Sequence, residues 1–327
     1  MYSAFHMPSV LSCYFLKEGG IGGKMKKKSD KIIFMILFLL PSCLCFLIFY
    51  AYPILQILVT SFCKWDYTNL KEPVFFGGEE LWTNYQYILT QYPYFWEALG
   101  NSLGWALVGV VIQVPLTLVV AIVLSKGLRF SKFARNVYII PSVISSAAMG
   151  LVFLQLYNAR YGPIQQIIRI VAPDFTDSIL LIEGVNFWAI VFAYVFFCGT
   201  TAIMLLGQIH GIAPELYEAA KIDGAMGLKR ELYVTIPLVK PTIKTVTTMA
   251  ATSGFLLYNE VFFLTDGAAG TKSISFIIRE LAITSSRTQY ARANTVGAMQ
   301  IVIGLILVGV INLIFAESKN SRRGGKA

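Results

Sequence analysis

The residues with chemistry to offer are few. The densest group is Pro214-Glu215-Leu216-Tyr217-Glu218-Ala219-Ala220-Lys221-Ile222-Asp223-Gly224-Ala225. Glu215, Glu218 and Asp223 stand there beside the small residues Ala219, Ala220 and Gly224, which suits polar contact with another backbone approaching closely. A second group, Tyr258-Asn259-Glu260, joins an aromatic ring to an amide and a carboxylate, a set that can stack on a sugar and hydrogen-bond its hydroxyls. Patterns for bond-making chemistry fail on closer reading. Gly19-Gly20-Ile21-Gly22-Gly23-Lys24-Met25 resembles a phosphate loop only superficially, because Glu18 stands where the first Gly is needed and Met25 where Ser or Thr is needed. Ser61-Phe62-Cys63-Lys64 has a Ser-x-x-Lys spacing without the companion motifs. Five cysteines and two histidines show no ligand spacing, so neither a metal centre nor a disulfide framework is expected. No catalytic residue and no cofactor is expected either.

The elements that must carry these groups are membrane helices. Hydrophobic residues make up 56% of 327 and charged residues only 14%, against about 25% charged in a soluble domain. A chain so composed cannot cover itself with polar surface and needs a lipid bilayer as part of its solvent. A crossing helix takes about 20 apolar residues, and charge-free runs long enough occur at 32–63, 98–125, 136–159, 184–214 and 293–316. A sixth span is expected at 241–265, interrupted only by Lys244 and Glu260 near its ends. The class is all-α: a polytopic membrane protein of six transmembrane helices. The net charge of +9 falls in short stretches between apolar runs, which points to the membrane surface and not to nucleic acid. Of the 27 Lys and Arg, 19 lie in the N-terminal stretch, the loops 126–136 and 210–244, and the C-terminal tail. By the positive-inside bias these segments, and so both termini, are cytoplasmic in a cell membrane. The loop 264–294, with Lys272, Arg279, Arg287 and Arg292, fits that rule least well.

Three regions follow: a cytoplasmic tail 1–31, a six-helix membrane domain 32–316, and a cytoplasmic basic tail 317–327. Met25-Lys26-Lys27-Lys28 before an apolar span reads as a natural beginning, and Gly22-Gly23-Lys24 reads as a translated ribosome-binding site. Met25 is therefore expected to be the physiological start, with a short disordered tail as the open alternative.

A connector between two spans needs few residues, yet about 30 separate the fourth from the fifth, and long loops are usually functional. Pro214 suits a first helical position and Glu215 its positive end, while Glu218 to Lys221 are good helix formers with an i,i+3 ion pair in reach. Asp223-Gly224 ends that helix. A second short helix is expected from Ala225 to Tyr233, broken by Ile236-Pro237, with Lys240-Pro241 leading into the next span. From the pattern alone, a solvated hairpin with no partner stays open.

Glu218-Ala219-Ala220, Asp223-Gly224-Ala225 and Ile236-Pro237-Leu238 with Pro241 resemble the EAA loop of ATP-binding cassette importer permeases. The wording from Glu215 to Ala225 is similar to the carbohydrate-uptake branch, which includes maltose-type and glycerol-phosphate-type permeases. The likeness extends over most of the chain after Met25. Asn84-Tyr85 and Ala98-Leu99-Gly100-Asn101-Ser102 resemble that branch's Asn-Tyr and Asn-Thr patterns, and Thr265-Asp266-Gly267 follows the fifth span as the family's Thr and Gly-Gly-Pro do. The chain departs from the family at Leu228, where an aromatic is common, and at Leu232, where a Phe is. It departs again at Tyr258-Asn259 for Phe-Asp and at Gly267-Ala268-Ala269 for Gly-Gly-Pro.

The resemblance implies a subunit whose cytoplasmic loop, between helices 4 and 5, fits a cleft on a separate ATPase dimer. Glu215, Glu218, Ala219, Ala220, Asp223, Gly224 and Pro237 would form the coupling loop, with Glu218 making polar contacts and Gly224 permitting the turn. A second permease subunit in a heterodimer, an extracellular solute-binding protein and a carbohydrate substrate are the further partners implied. Tyr258, Asn259 and Glu260 are candidates for the substrate path, among other polar span residues such as Gln113, Gln155, Asn158 and Tyr194. Two other readings stay open: an autonomous secondary carrier of a small polar solute, and a membrane protein without transport that uses the hairpin as a docking site.

Overall fold

The computed structural model describes residues 28–127, 131–173, 175, 177–195, 198–284 and 288–316. The expected start at Met25, most of the N-terminal tail and the basic tail 317–327 lie outside the described residues. The chain packs as two units, one ending at Gln56 and one beginning at Ile57, a division inside the range 32–316 that the sequence suggests as one domain.

The described part of the first unit is α1 (Lys28–Phe46), a π turn over Leu47–Ala51, and the start of α2 (Tyr52–Thr60). Its apolar side chains are exposed on every face, Phe38 and Phe49 among them. A helix apolar all round has hydrocarbon for its surroundings.

The second unit opens with a two-residue antiparallel ladder, β1 (Cys63–Lys64) and β2 (Val74–Phe75), which pairs Cys63 with Phe75. Hydropathy gave no sign of this small addition to a helical fold. After it come α3 (Thr83–Gln86) and α4 (Phe95–Val108), then a π turn at Gly109–Gln113 and α5 (Val114–Ser125). Next are α6 (Ser131–Val143), α7 (Ser146–Leu156), the short α8 (Pro163–Val171), α9 (Val185–Val195) and α10 (Gly199–His210). The chain continues through α11 (Pro214–Ile222), α12 (Leu228–Arg230), α13 (Ile236–Phe255) and α14 (Asn259–Leu264), and closes with α15 (Ile274–Arg279) and α16 (Tyr290–Ile314).

Among the described residues, three helical stretches are long and apolar enough to cross a membrane: Ile32–Thr60, Phe95–Ser125 and Tyr290–Ile314. The pairs α6 with α7 and α9 with α10 pass as well if each is a single bent span. The sixth expected stretch, 241–265, is a broken helix whose two parts, α13 and α14, are separated at Leu256–Tyr258. The run 136–159 is broken too, by a bend of 105° between α6 and α7. Ser145 is extended there, with φ −63 and ψ 143, and its hydroxyl accepts the Ala148 N–H at 3.3 Å. That hydroxyl caps a new helix just after Pro141 has removed a donor from the old one.

Packing rests on close helix crossings. A Cβ on Gly254 of α13 would stand 2.5 Å from the Trp105 carbonyl oxygen of α4, and one on Gly109 would stand 2.7 Å from that of Ala250. Small residues let membrane helices approach this closely. One core cluster gathers Trp105, Phe153, Ile190, Tyr194 and Val261. A second holds Phe95, Phe255, Ile274 and Val296, and a third Ala121, Leu205, Val239 and Val246.

Segments that alternate along the chain meet at opposite ends of this unit. At one end Asn101 donates to the carbonyls of Gly270 and Lys272 at 2.8 and 3.0 Å, Asn186 to that of Ala269 at 2.7 Å, and the Ala291 N–H to that of Trp65 at 2.9 Å. At the other end Lys126, just past α5, meets Glu231, just before α13. The grouping of loops matches the one drawn from Lys and Arg counts.

Candidate functional site

The hairpin begins with Pro214 in the first turn of α11, and that helix ends at Asp223. The Gly224 N–H bonds the Lys221 carbonyl at 3.1 Å and the Ala225 N–H bonds that of Ala220 at 2.8 Å, which closes the helix as a Schellman motif. Gly224 takes φ +75, the left-handed conformation such a closure needs, with open space where a Cβ would be. Asp223-Gly224 thus ends the helix as the sequence suggests. Glu215, Glu218, Ala219, Asp223 and Gly224 are exposed, and Ala220 is turned inward.

The second half of the loop differs from expectation. Pro237 does not break the helix. After α12 the backbone widens into a π turn over Glu231–Thr235 and runs directly into α13, whose first turn carries the exposed Pro237. A proline ring would clash with the carbonyl four residues back and leaves it without a donor, and a wider turn just before it relieves both problems. The i,i+3 pair Glu218–Lys221 is absent among the described ion pairs, and those in the loop converge on Glu231 instead. Its carboxylate meets Arg230 at 2.7 Å and Lys126 at 3.5 Å, and accepts the Thr235 hydroxyl at 2.7 Å. Burial alone would raise this carboxyl, but the hydrogen bonds from Arg230 and Thr235 and the charges of Arg230 and Lys126 outweigh it and hold the group below its ordinary value. Arg230 also stacks over the Tyr217 ring at 5.0 Å, which ties the two halves of the hairpin together. A cavity of about 390 Å³ lies here, lined by Lys126, His210, Tyr217, Arg230 and Glu231.

Sequence reasoning passed over Lys126 and Glu231. The available signal was an acid set between Lys229-Arg230 and Leu232, where a surface helix would bury a leucine instead. The apolar neighbours are displaced outward: Leu228 is 79% exposed, Tyr233 75% and Ile222 87%. The loop therefore presents an apolar face beside its acids.

The three path candidates are not gathered round one point. Tyr258 lies parallel to Phe262, with ring centroids 5.7 Å apart. Asn259 donates to the Ser146 hydroxyl at 2.5 Å, bridging α14 to the start of α7 at the bend, and Glu260 is buried. The Tyr194 hydroxyl is spent on the Ala250 carbonyl at 2.6 Å. Asn158 and Gln155 serve local turns at the end of α7: Asn158 accepts the Arg160 N–H, and Gln155 the Tyr161 hydroxyl. Gln113 is buried in the π turn before α5. At the opposite end from the hairpin, a cavity of about 610 Å³ is lined by Trp65, Asp66, Tyr67, Asn84, Gln289 and Arg292. It escaped the sequence reading because its walls come from segments more than 200 residues apart.

Residues quoted for their family likeness bond distant backbone at two separate places. Asn84 donates to the carbonyls of Ser61 and Cys63, both at 2.9 Å. Asn101 and Ser102 hold the turn after α14, where Ala269 takes φ 49. A proline cannot adopt that angle, so this turn differs in kind from one made by Gly-Gly-Pro.

Residues 113–318 match the family described as binding-protein-dependent transport system inner membrane component. The chain is 30% identical over 285 residues to a probable ABC transporter permease protein, YurN, of Bacillus subtilis, covering 83% of this chain and 93% of that one. It is 26% identical to the arabinooligosaccharides transport system permease protein AraP of the same organism, over 88% of this chain and 89% of the other. It is 28% identical to the lactose transport system permease protein LacF of Rhizobium radiobacter, over 88% and 94%. Its fold is similar to a chain in the crystal structure of a bacterial ABC transporter involved in import of the acidic polysaccharide alginate. That match has a TM-score of 0.73 and 19% identity, covering 91% of this chain and 98% of that one.

Proposed function

Because this chain belongs to the family of binding-protein-dependent transport system inner membrane components, we propose that it is the permease subunit of an ATP-driven importer of a sugar or oligosaccharide. ATP hydrolysis occurs on a separate chain. The observation that carries the reading is the hairpin opened by the Schellman-closed helix Pro214–Ile222, with its exposed acids, small residues and apolar neighbours, lying within the matched range. In this reading the hairpin is cytoplasmic and seats in a cleft of an ATPase dimer, with Glu215, Glu218, Ala219, Asp223 and Gly224 at the contact. Ala220 and Pro237 shape the hairpin from behind. Closure of the ATPase dimer reorients the spans because the hairpin's contacts differ between the two states. The spans number six when α13 with α14 is counted, and both termini are cytoplasmic. A second permease subunit completes the pathway and an extracellular binding protein delivers the ligand. The names of the sugar and oligosaccharide permeases among the relatives support the substrate class. Tyr258, Asn259 and Glu260 are proposed along the path, where α14 meets the bend between α6 and α7.

Uptake in proteoliposomes reconstituted with the ATPase, partner permease and binding protein tests the reading. Glu218→Lys and Gly224→Asp are expected to abolish uptake while the protein stays in the membrane. Normal uptake in both variants, or pumping with no ATPase present, ends the proposal.

A further inference from the structure

The hairpin contains an inversion of the usual order. Glu231 is 5% exposed, whereas Leu228, Leu232 and Tyr233 around it are 79%, 58% and 75% exposed. Nothing in the local sequence requires a carboxylate inside, and a buried acid is costly unless it is paired. Here both of its oxygens are engaged. Oε1 faces the Arg230 guanidinium at 2.7 Å and the Lys126 ammonium at 3.5 Å, and Oε2 accepts the Thr235 hydroxyl at 2.7 Å. Arg230 in turn lies over Tyr217 of α11, whose hydroxyl is 3.4 Å from that of Thr235. Of these partners Lys126 alone comes from outside the loop, at the end of the α4–α5 span.

We infer that Glu231 is a positioning residue that welds the hairpin to the end of α5, so that one displacement of the hairpin is delivered to two spans, α4–α5 and α13. This deepens the proposed function and rests on it. Without the weld, the hairpin would pull on α13 alone, through the π turn Glu231–Thr235 that joins them. With it, the carboxylate clamps that turn from both sides, and α5 must follow. Removing one member leaves the others charged and partly buried, which is why such a cluster holds its geometry.

The test compares the charge-removing variants Glu231→Gln and Lys126→Met with the conservative Lys126→Arg in the complete transporter. Copurified ATPase, ATP hydrolysis and uptake are measured together. Both charge-removing variants are expected to retain the ATPase in full stoichiometry and to hydrolyse ATP, while uptake per ATP falls about fivefold or more. Lys126→Arg, which keeps a cation facing Glu231, should preserve most of the wild-type ratio. Lys126→Met keeps Glu231 paired with Arg230 and Thr235, so it remains informative if Glu231→Gln fails to accumulate. An unchanged uptake per ATP in Lys126→Met overturns the inference, as does loss of the ATPase from the charge-removing variants or a Lys126→Arg no better than Lys126→Met. A wild-type protein whose uptake ignores the ATPase overturns the underlying function instead.

Discussion

Glu231 is buried among polar and charged partners, and that makes its titration readable. Its carboxyl sits below the ordinary range because Arg230, Thr235 and Lys126 together outweigh the effect of burial. The stability it contributes is therefore complete above the unfolded-chain value near 4.3 and is lost as pH falls through the lower folded-state value. The difference in melting temperature between wild type and Glu231→Gln in detergent should be flat from about pH 5 to 8 and shrink below about pH 4.3. A difference that widens on acidification would show the sign to be wrong. Some residues are legible in the sequence alone: Gly224 follows a helix-forming run, and its left-handed φ is the reason that position takes glycine. Glu231 is not, because the partner that ties it to the end of α5 is Lys126, more than a hundred positions away, and no local pattern joins them.

At the scale of elements, the crossing of α4 and α13 is the tightest joint described. A side chain at Gly254 meets the Trp105 carbonyl and the Ala106 nitrogen, main-chain atoms that cannot turn aside. Gly254→Val should cost about 1–3 kcal/mol, whereas Gly207→Ala in α10, with nothing within 4 Å of the added carbon, should be neutral or slightly stabilising. Thermal unfolding of both purified variants checks this, and equal melting temperatures would count against the crossing. Charge-free runs located the helices well, because hydrocarbon excludes charge whatever the direction of the chain. For the same reason they missed the bend between α6 and α7 and the break before α14, since hydropathy counts residues and is blind to direction. The cues were local: Ser145 as a cap beyond Pro141, and Gly254 followed by Tyr258-Asn259. Pro237 misled for a related reason, because a π turn can absorb a proline that an α-helix cannot.

For the whole molecule, the two sets of loops gathered at opposite ends predict labelling from opposite sides of the membrane. Ile222→Cys should react with a membrane-impermeant maleimide only in inverted vesicles, and Tyr67→Cys only in intact cells, each in a background where native cysteines are replaced. Reaction of both from one side would dismantle the arrangement. Lys and Arg counts made this grouping legible, since loops sorted by charge are the loops that touch. The cavity beside Trp65 and Arg292 was not legible, because it exists only once residues 64–84 and 289–292 share a wall.

The outward-facing Ile222, Leu228, Leu232 and Tyr233 make an adhesive surface that is tolerable only while something covers it. A cell that makes this chain faster than its companions would hold orphaned copies with that surface bare, prone to clump or to be degraded. Its abundance should therefore follow the synthesis of whatever seats on the hairpin, and matched co-expression should raise the yield more than a stronger promoter would.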